Sequence, residues 1–314
     1  MKIVIFVSQS RFTEKQKLIL SSLGEVAYAE EGKELSLDKL LEKAKSADII
    51  APDPDVFGGF KKAKAPLTKV IESLPNLKGV CLSTTSFSWV DLDYCKKRNL
   101  AVSNVPGYSK ESVAEHALAL LLNLAKRILV LDRKTQKGNY KLEIGFELKG
   151  KTLGIIGLGN IGSRVAELGI GIGMKVIAYN RTPTTKEGVE MKTFEEVLIQ
   201  SDAISLHTTH EDKNMHMISK GQINKMKQGA IIVNTVDRDL VDETAMAEAI
   251  KSGKIYGYAY EGEDLVNTPL ANIENVVGIK AFAWYTKEAL ENLHQIWTDN
   301  IVALAKGTPK NRVV

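Results

Sequence analysis

Residues Lys151-Thr152-Leu153-Gly154-Ile155-Ile156-Gly157-Leu158-Gly159-Asn160-Ile161-Gly162 constrain the fold more tightly than any other part of the chain. A short apolar run rich in isoleucine ends in G-x-G-x-x-G, and a helical pattern (Val165, Ala166, Leu168, Gly169, Ile170) follows. That is the strand–turn–helix order of a dinucleotide-binding loop. Gly157 permits a tight turn, Gly159 lets backbone amides approach a pyrophosphate, and Gly162 allows helix and strand to pack closely. The phosphates would sit at the positive end of the helix. Gly157, Gly159 and Gly162, with Leu158, Asn160 and Ile161 between them, are therefore the candidate phosphate-binding residues.

The rest of the chain alternates in the same way. Strands are expected at Lys2–Val7, Asp48–Ala51, Gly79–Leu82 and Leu100–Ser103, then from Leu153–Gly157 through Lys175–Tyr179, Ala203–Leu206, Ala230–Asn234, Ile255–Tyr260 and Val276–Ile279. Helical patterns lie between them, including Leu37–Ala44, Val90–Lys97, Thr193–Gln200, Ile218–Met226, Asp242–Lys251 and one long segment, Ser109–Val130. Alternation of this kind predicts parallel sheets covered on both faces, and 314 residues suffice for two domains. Pro106 and Gly107 break both periodicities and mark a crossover between them.

Composition narrows the class. Forty-two basic and 38 acidic residues leave a net charge of +4, with no basic block interleaved with aromatics, so no nucleic-acid partner is expected. No apolar run reaches the length of a membrane span. Cys81 and Cys95 lack metal-ligand spacing, and His116, His207, His210, His216 and His294 form no metal pattern. The expectation is a cytoplasmic protein with free thiols, no metal and a small-molecule substrate.

At the end of the second strand of such a fold, an Asp or Glu bonds the ribose hydroxyls and repels a 2′-phosphate. Here the chain reads Tyr179-Asn180-Arg181-Thr182. A neutral Asn180 removes the repulsion, while Arg181 and Thr182 supply a cation and a hydroxyl. NADP(H) is expected, with NAD possible if Arg181 is only a surface residue.

From Leu77 to Leu290 the chain resembles the D-isomer-specific 2-hydroxyacid dehydrogenases, the family of phosphoglycerate dehydrogenases and glyoxylate/hydroxypyruvate reductases. Runs such as LKGKTLGIIGLGNIGSRVAELGIGIGMKVIAYNRT, DAISLH, MKQGAIIVNT and AWYTKEAL carry the likeness. The resemblance implies a Rossmann-type nucleotide domain (104–284) inserted into a flavodoxin-like substrate domain (1–103 plus 285–314). It also implies a homodimer formed through the nucleotide domain. His207, Thr208, Thr235, Val236, Glu261 and Ala281 fall at cofactor-facing positions, and Thr84, Thr85 and Ser86 match the turn whose amides bind the substrate carboxylate.

The family's reacting groups are an arginine, a histidine and an acid, and all three places differ. Where N-T-A-R-G is usual the chain has Asn234-Thr235-Val236-Asp237-Arg238, so Asp237 stands in the arginine's place and Arg238 one residue later. Ala281 holds the histidine's place, with Lys280 beside it. A lysine desolvated in a cleft can act as an acid near neutral pH, and one at a strand end can equally reach solvent. Glu261 replaces the aspartate usually near the nicotinamide amide, and Glu263 and Asp264 are the nearest counterparts of the acid.

Two functions are compatible with this pattern. One is an NADP(H)-dependent oxidoreductase of the D-2-hydroxyacid dehydrogenase type. Lys280, Arg238 and Glu261 are then the candidate catalytic groups, and Asp237 favours a polyol, sugar-like or amine-bearing substrate. The other is a catalytically inactive NAD(P)-binding sensor or regulatory protein.

Overall fold

The computed structural model describes residues 1–30, 34–209 and 212–314, so His210 lies outside the described residues. The chain divides into two compact units, Met1–Ser109 with Lys287–Val314, and Lys110–Thr286.

The first unit is a parallel sheet of β1 (Lys2–Ile5), β2 (Glu25–Tyr28), β3 (Ile49–Ala51), β4 (Gly79–Cys81) and β5 (Ala101–Ser103), in the order β2-β1-β3-β4-β5. This is the flavodoxin-like order, whose switch point lies between β1 and β3. Helices α1 (Glu14–Ser21), α2 (Leu37–Ala44), α3 (Lys64–Glu72) and α4 (Leu92–Lys97) connect the strands. The C-terminal helix Lys287–Ala305 belongs to this unit. Its Trp297 is buried with Ile3, Ile5 and Ile49 and donates its indole N–H to the Cys81 carbonyl at 2.7 Å. Burying each such side chain contributes about 1.5–3 kcal/mol.

The second unit holds seven parallel strands: β6 (Thr152–Ile156), β7 (Lys175–Tyr179), β8 (Val189–Met191), β9 (Ala203–Leu206), β10 (Ala230–Asn234), β11 (Ile255–Glu261) and β12 (Val276–Ile279). Their order is β12-β11-β10-β9-β6-β7-β8, the doubly wound Rossmann order with its switch point between β6 and β9. Helices α5 (Lys110–Lys126), α6 (Ile128–Thr135), α7 (Asn160–Gly171), α8 (Phe194–Gln200), α9 (Lys220–Lys225) and α10 (Glu243–Lys251) accompany them. The protein is thus an α/β chain with two doubly wound parallel sheets. Among the described residues no helix is long and apolar enough to cross a membrane.

Two local expectations need correction. The single helix expected over Ser109–Val130 is broken at Arg127, which adopts φ 56 and ψ 34. Leu129 donates its N–H to the Asn123 side chain, and Arg127 pairs with Glu143 and Glu274 while lying 5.6 Å from the Tyr256 ring centre. Side-chain bonding at the break thus replaces continuation of the helix. Strands β2 and β8 were not expected at all. They are the outer strands of their sheets and are only partly buried, so neither carries the apolar run that betrays an inner strand.

Candidate functional site

The glycine loop sits where β6 meets α7. Gly157 has φ +99, and a Cβ there would lie 2.6 Å from the backbone of His207 and Thr208. A Cβ on Gly162 would lie 2.0 Å from the Gly157 carbonyl oxygen. Both glycines are therefore demanded by the protein's own packing. Gly159 is different: a Cβ there meets nothing within 4 Å, and its φ of −83 is open to any residue. It is the N-cap of α7, whose first turn has no side-chain cap. A glycine that packing does not require, at an uncapped helix N-terminus, is what a bound pyrophosphate would use. The residues present fit a dinucleotide.

Asn180, after β7, is tied into the same loop. Its Oδ1 accepts the Leu158 N–H at 2.9 Å, and its Nδ2 donates to the Thr182 carbonyl at 2.7 Å. Arg181 and Thr182 are exposed beside it. An open cleft of about 870 Å³ adjoins them, lined by Asn180, Thr184, Thr185 and Lys192 among others. Lys192, which sequence reasoning passed over, is a second cation here and pairs with Glu190 at 2.6 Å.

The ends of β9 and β10 carry the next group. His207 donates its backbone N–H to Ile156 at 2.7 Å, and its Nε2 lies 2.8 Å from the Ser205 hydroxyl. Burial pushes its pKa down to about 3, so the ring is neutral at physiological pH. Thr208 follows it, half-buried. Asn234 shapes the next turn, accepting the Val236 N–H at 3.0 Å and donating to the Asp237 carbonyl at 2.7 Å. The Thr235 hydroxyl is buried and has no hydrogen-bond partner among the described residues, while Val236 is exposed. Asp237 caps the short helix that follows, accepting the Asp239 N–H at 3.0 Å.

Arg238 is engaged on every side. It forms a two-pronged pair with Glu243 at 2.6 and 2.9 Å, donates to the Glu263 carbonyl at 2.7 Å, and lies 5.9 Å from the Tyr260 ring centre. Turning it toward a substrate would break that pair.

Glu261 ends β11 and is buried. Its Oε1 accepts the N–H groups of Phe282 and Ala283 at 2.9 and 2.8 Å. Burial holds its carboxyl above the usual range against the lowering effect of those two bonds. Lys280 and Ala281, just beyond β12, are exposed. Lys280 makes no ion pair among the described residues.

In the first unit, the loop after β4 uses up its carbonyls. Val105 N–H bonds to the Thr84 carbonyl, Asn104 to that of Thr85, and the Trp89 indole to that of Ser86, at 3.1, 2.7 and 3.0 Å. The amides of Thr84, Thr85 and Ser86 make no hydrogen bond among the described residues. Such a run of N–H groups suits an anion. Beside it is Asp53, also passed over, two residues beyond β3 at the switch point. Its carboxylate accepts the Ser83 hydroxyl at 2.7 Å, and burial raises its pKa. The signal that could have found it is an acid at the carboxyl end of a strand flanking the switch point.

The model of the "D-isomer specific 2-hydroxyacid dehydrogenase, NAD binding domain" family matches residues 118–279. D-3-phosphoglycerate dehydrogenase of Archaeoglobus fulgidus is 36% identical over 256 residues, 78% of this chain; the chain spans about half (49%) of that relative. Glyoxylate reductase of Thermococcus litoralis is 36% identical over 262 residues, covering 78% of this chain and 79% of the relative. Among solved structures, the acyclic imino acid reductase Bsp5 in complex with NADPH and D-Arg superposes with a TM-score of 0.87 at 27% identity, over 100% of both chains. The chain belongs to the D-isomer-specific 2-hydroxyacid dehydrogenase family, a group of nicotinamide-dependent oxidoreductases.

Proposed function

We propose that this protein is an NADP(H)-dependent reductase on the 2-hydroxyacid dehydrogenase scaffold. Its substrate pairs a carboxylate with a cationic nitrogen at or beside the reacting carbon. The cofactor half rests on Asn180: a neutral amide tied to the glycine loop, with Arg181, Thr182 and Lys192 near it, accommodates a 2′-phosphate that an aspartate would repel. Gly157, Leu158, Gly159, Asn160, Ile161 and Gly162 would hold the pyrophosphate. His207, Thr208, Thr235, Val236, Glu261 and Ala281 would flank the rest of the dinucleotide.

The substrate half rests on the single observation of Asp237, which stands where the resemblance to the family implies an arginine. A carboxylate where the family has arginine disfavours a bare 2-oxo acid and favours a cation. In the first unit the open amides of Thr84, Thr85 and Ser86 suit a carboxylate, and Asp53 adds a second acid next to them. The neighbour Bsp5, named an imino acid reductase and solved with D-Arg, supports an amino-acid-like substrate class.

Such a substrate also makes sense of Ala281. The nicotinamide, when bound, supplies or takes up a hydride. Reduction of C=O requires an acid for the developing alkoxide, which is the histidine's task in the family. A protonated C=N already carries its proton: hydride adds to carbon, the electron pair moves to nitrogen, and a neutral amine results. Asp237 would stabilise the cationic ground state and Lys280 would keep solvent-side proton exchange available, while Arg238 would hold the 261–263 turn. Self-association through the second unit is part of this reading; Tyr140, Leu142 and Ile144 expose large apolar surfaces there.

A second reading, binding without turnover, is favoured by the same loss of arginine and histidine. The test is NADPH consumption with imino acids generated from basic amino acids. Turnover above background supports the reductase. Tight NADPH binding with no turnover on imines, 2-oxo acids, aldehydes or sugars supports the sensor.

A further inference from the structure

The segment that carries Ala281 is held from two sides within the second unit. From β11, Glu261 Oε1 takes both the Phe282 and Ala283 amides. From α5, the Ser112 hydroxyl donates to the Ala283 carbonyl. His116 follows Ser112 by four residues and so lies on the same face of the helix. Its ring meets Phe282 edge to face, with centres 5.0 Å apart and planes at 72°. Its Nε2 is buried, has no hydrogen-bond partner among the described residues, and stands 3.6 Å from Glu261 Oε1.

Three N–H donors can therefore converge on one oxygen of Glu261, two amides and an imidazole. The other oxygen, Oε2, accepts no hydrogen bond among the described residues. Among the described residues no other charged group bears on either side chain: burial pulls the His116 pKa down, and burial with the two amide bonds accounts for Glu261. A neutral imidazole with its proton on Nε2 satisfies its own buried nitrogen by closing on Oε1.

We propose that His116 is a positioning residue for the nicotinamide end of the cofactor. It fixes Glu261 with Oε1 saturated by Phe282, Ala283 and its own Nε2–H, leaving Oε2 as the acceptor offered to the nicotinamide carboxamide. The proposal rests on the nicotinamide-binding reading of the same unit.

The test compares two ligands and two variants by fluorescence titration, with the melting temperature of each ligand-free protein read alongside. His116→Phe keeps a ring against Phe282 and removes the donor, whereas His116→Gln keeps a donor near the Nε2 place. The Phe variant is expected to lose about tenfold in NADPH affinity, the size of one hydrogen bond to a charged group. It should bind 2′-phospho-ADP-ribose, which lacks the nicotinamide, as the wild type does, and the Gln variant should return to within about twofold of wild type for both ligands. Equal NADPH affinity in the wild type and the Phe variant would overturn the proposal. So would an equal loss for both ligands, or a Gln variant as weak as Phe, since each marks a merely structural role. Binding of neither ligand by the wild type would instead overturn the cofactor reading, and this proposal with it.

Discussion

Asn180 accepts the amide of Leu158 at 2.9 Å, so the residue we propose as the selector between the two nicotinamide cofactors is also tied to the glycine loop. Selection and positioning are therefore separable by substitution. Asn180→Asp keeps an acceptor for Leu158 and adds a charge facing a 2′-phosphate. NADPH affinity is expected to fall by about tenfold or more, and NADH to bind at least as well as before. Asn180→Ala loses the acceptor and should weaken both cofactors, with about 1 kcal/mol of stability lost. Titration with both cofactors checks this, and an Asp variant that still prefers NADPH counts against the assignment.

The glycines separate folding from binding. Gly162→Ala drives a Cβ to 2.0 Å from the Gly157 oxygen and should cost roughly 1–3 kcal/mol or more in a ligand-free melt. Gly159→Ala enters open space at an ordinary φ, so the ligand-free protein should melt within about 0.5 kcal/mol of wild type. Its dinucleotide affinity should nevertheless drop sharply. A Gly159→Ala protein that binds NADPH normally contradicts the placement of the pyrophosphate.

Arg238 is expected to behave as a structural residue. Arg238→Ala removes the two-pronged pair with Glu243 and the bond to Glu263, and should cost about 1 kcal/mol, allowing for the partial exposure of the pair. KM should change little beyond what that loss explains. A large rise in KM at unchanged stability would instead place the guanidinium on the substrate.

Acid should destabilise this protein through its buried imidazoles. His207 is pushed down to about 3 and His116 and His294 are lowered, all chiefly by burial. Between the folded pKa and the ordinary value near 6.5, the unfolded chain binds the proton and the folded chain does not. Stability therefore rises with pH across that window and is lost as pH falls through it. Glu261 works oppositely, since its raised folded pKa makes stability fall as pH climbs past the ordinary glutamate value. Melting temperatures from pH 4 to 8 should rise, and His207→Gln should flatten the slope; an unchanged slope in that variant would show that His207 is not the group responsible.

The inner strands and the glycine loop were legible because their signals are local: an apolar run, a glycine spacing, a helix pattern after it. Strands β2 and β8 were not, because an outer strand with one wet face reads like a loop. Arg127 hid a helix break behind a residue of good helix propensity, since its partners Glu143 and Glu274 are distant in sequence. The site divided in the same way. Asn180, Asp237 and Ala281 stood out by position, whereas the bonds of Arg238 to Glu243 and the Glu263 carbonyl carry no local sequence signal. The approach of His116 to Glu261 spans 145 positions and depends on α5 packing beside β11, which no local pattern encodes.

The most direct test follows NADPH oxidation by the purified protein with two substrates matched in side chain. One is the imino acid formed in place from arginine by an amino acid oxidase, and the other is the corresponding 2-oxo acid without an amine. Faster oxidation with the imino acid, reduced by Asp237→Ala, is the result expected here. A preference for the 2-oxo acid, or no oxidation with either while NADPH binds tightly, would contradict the assignment of a cationic C=N substrate.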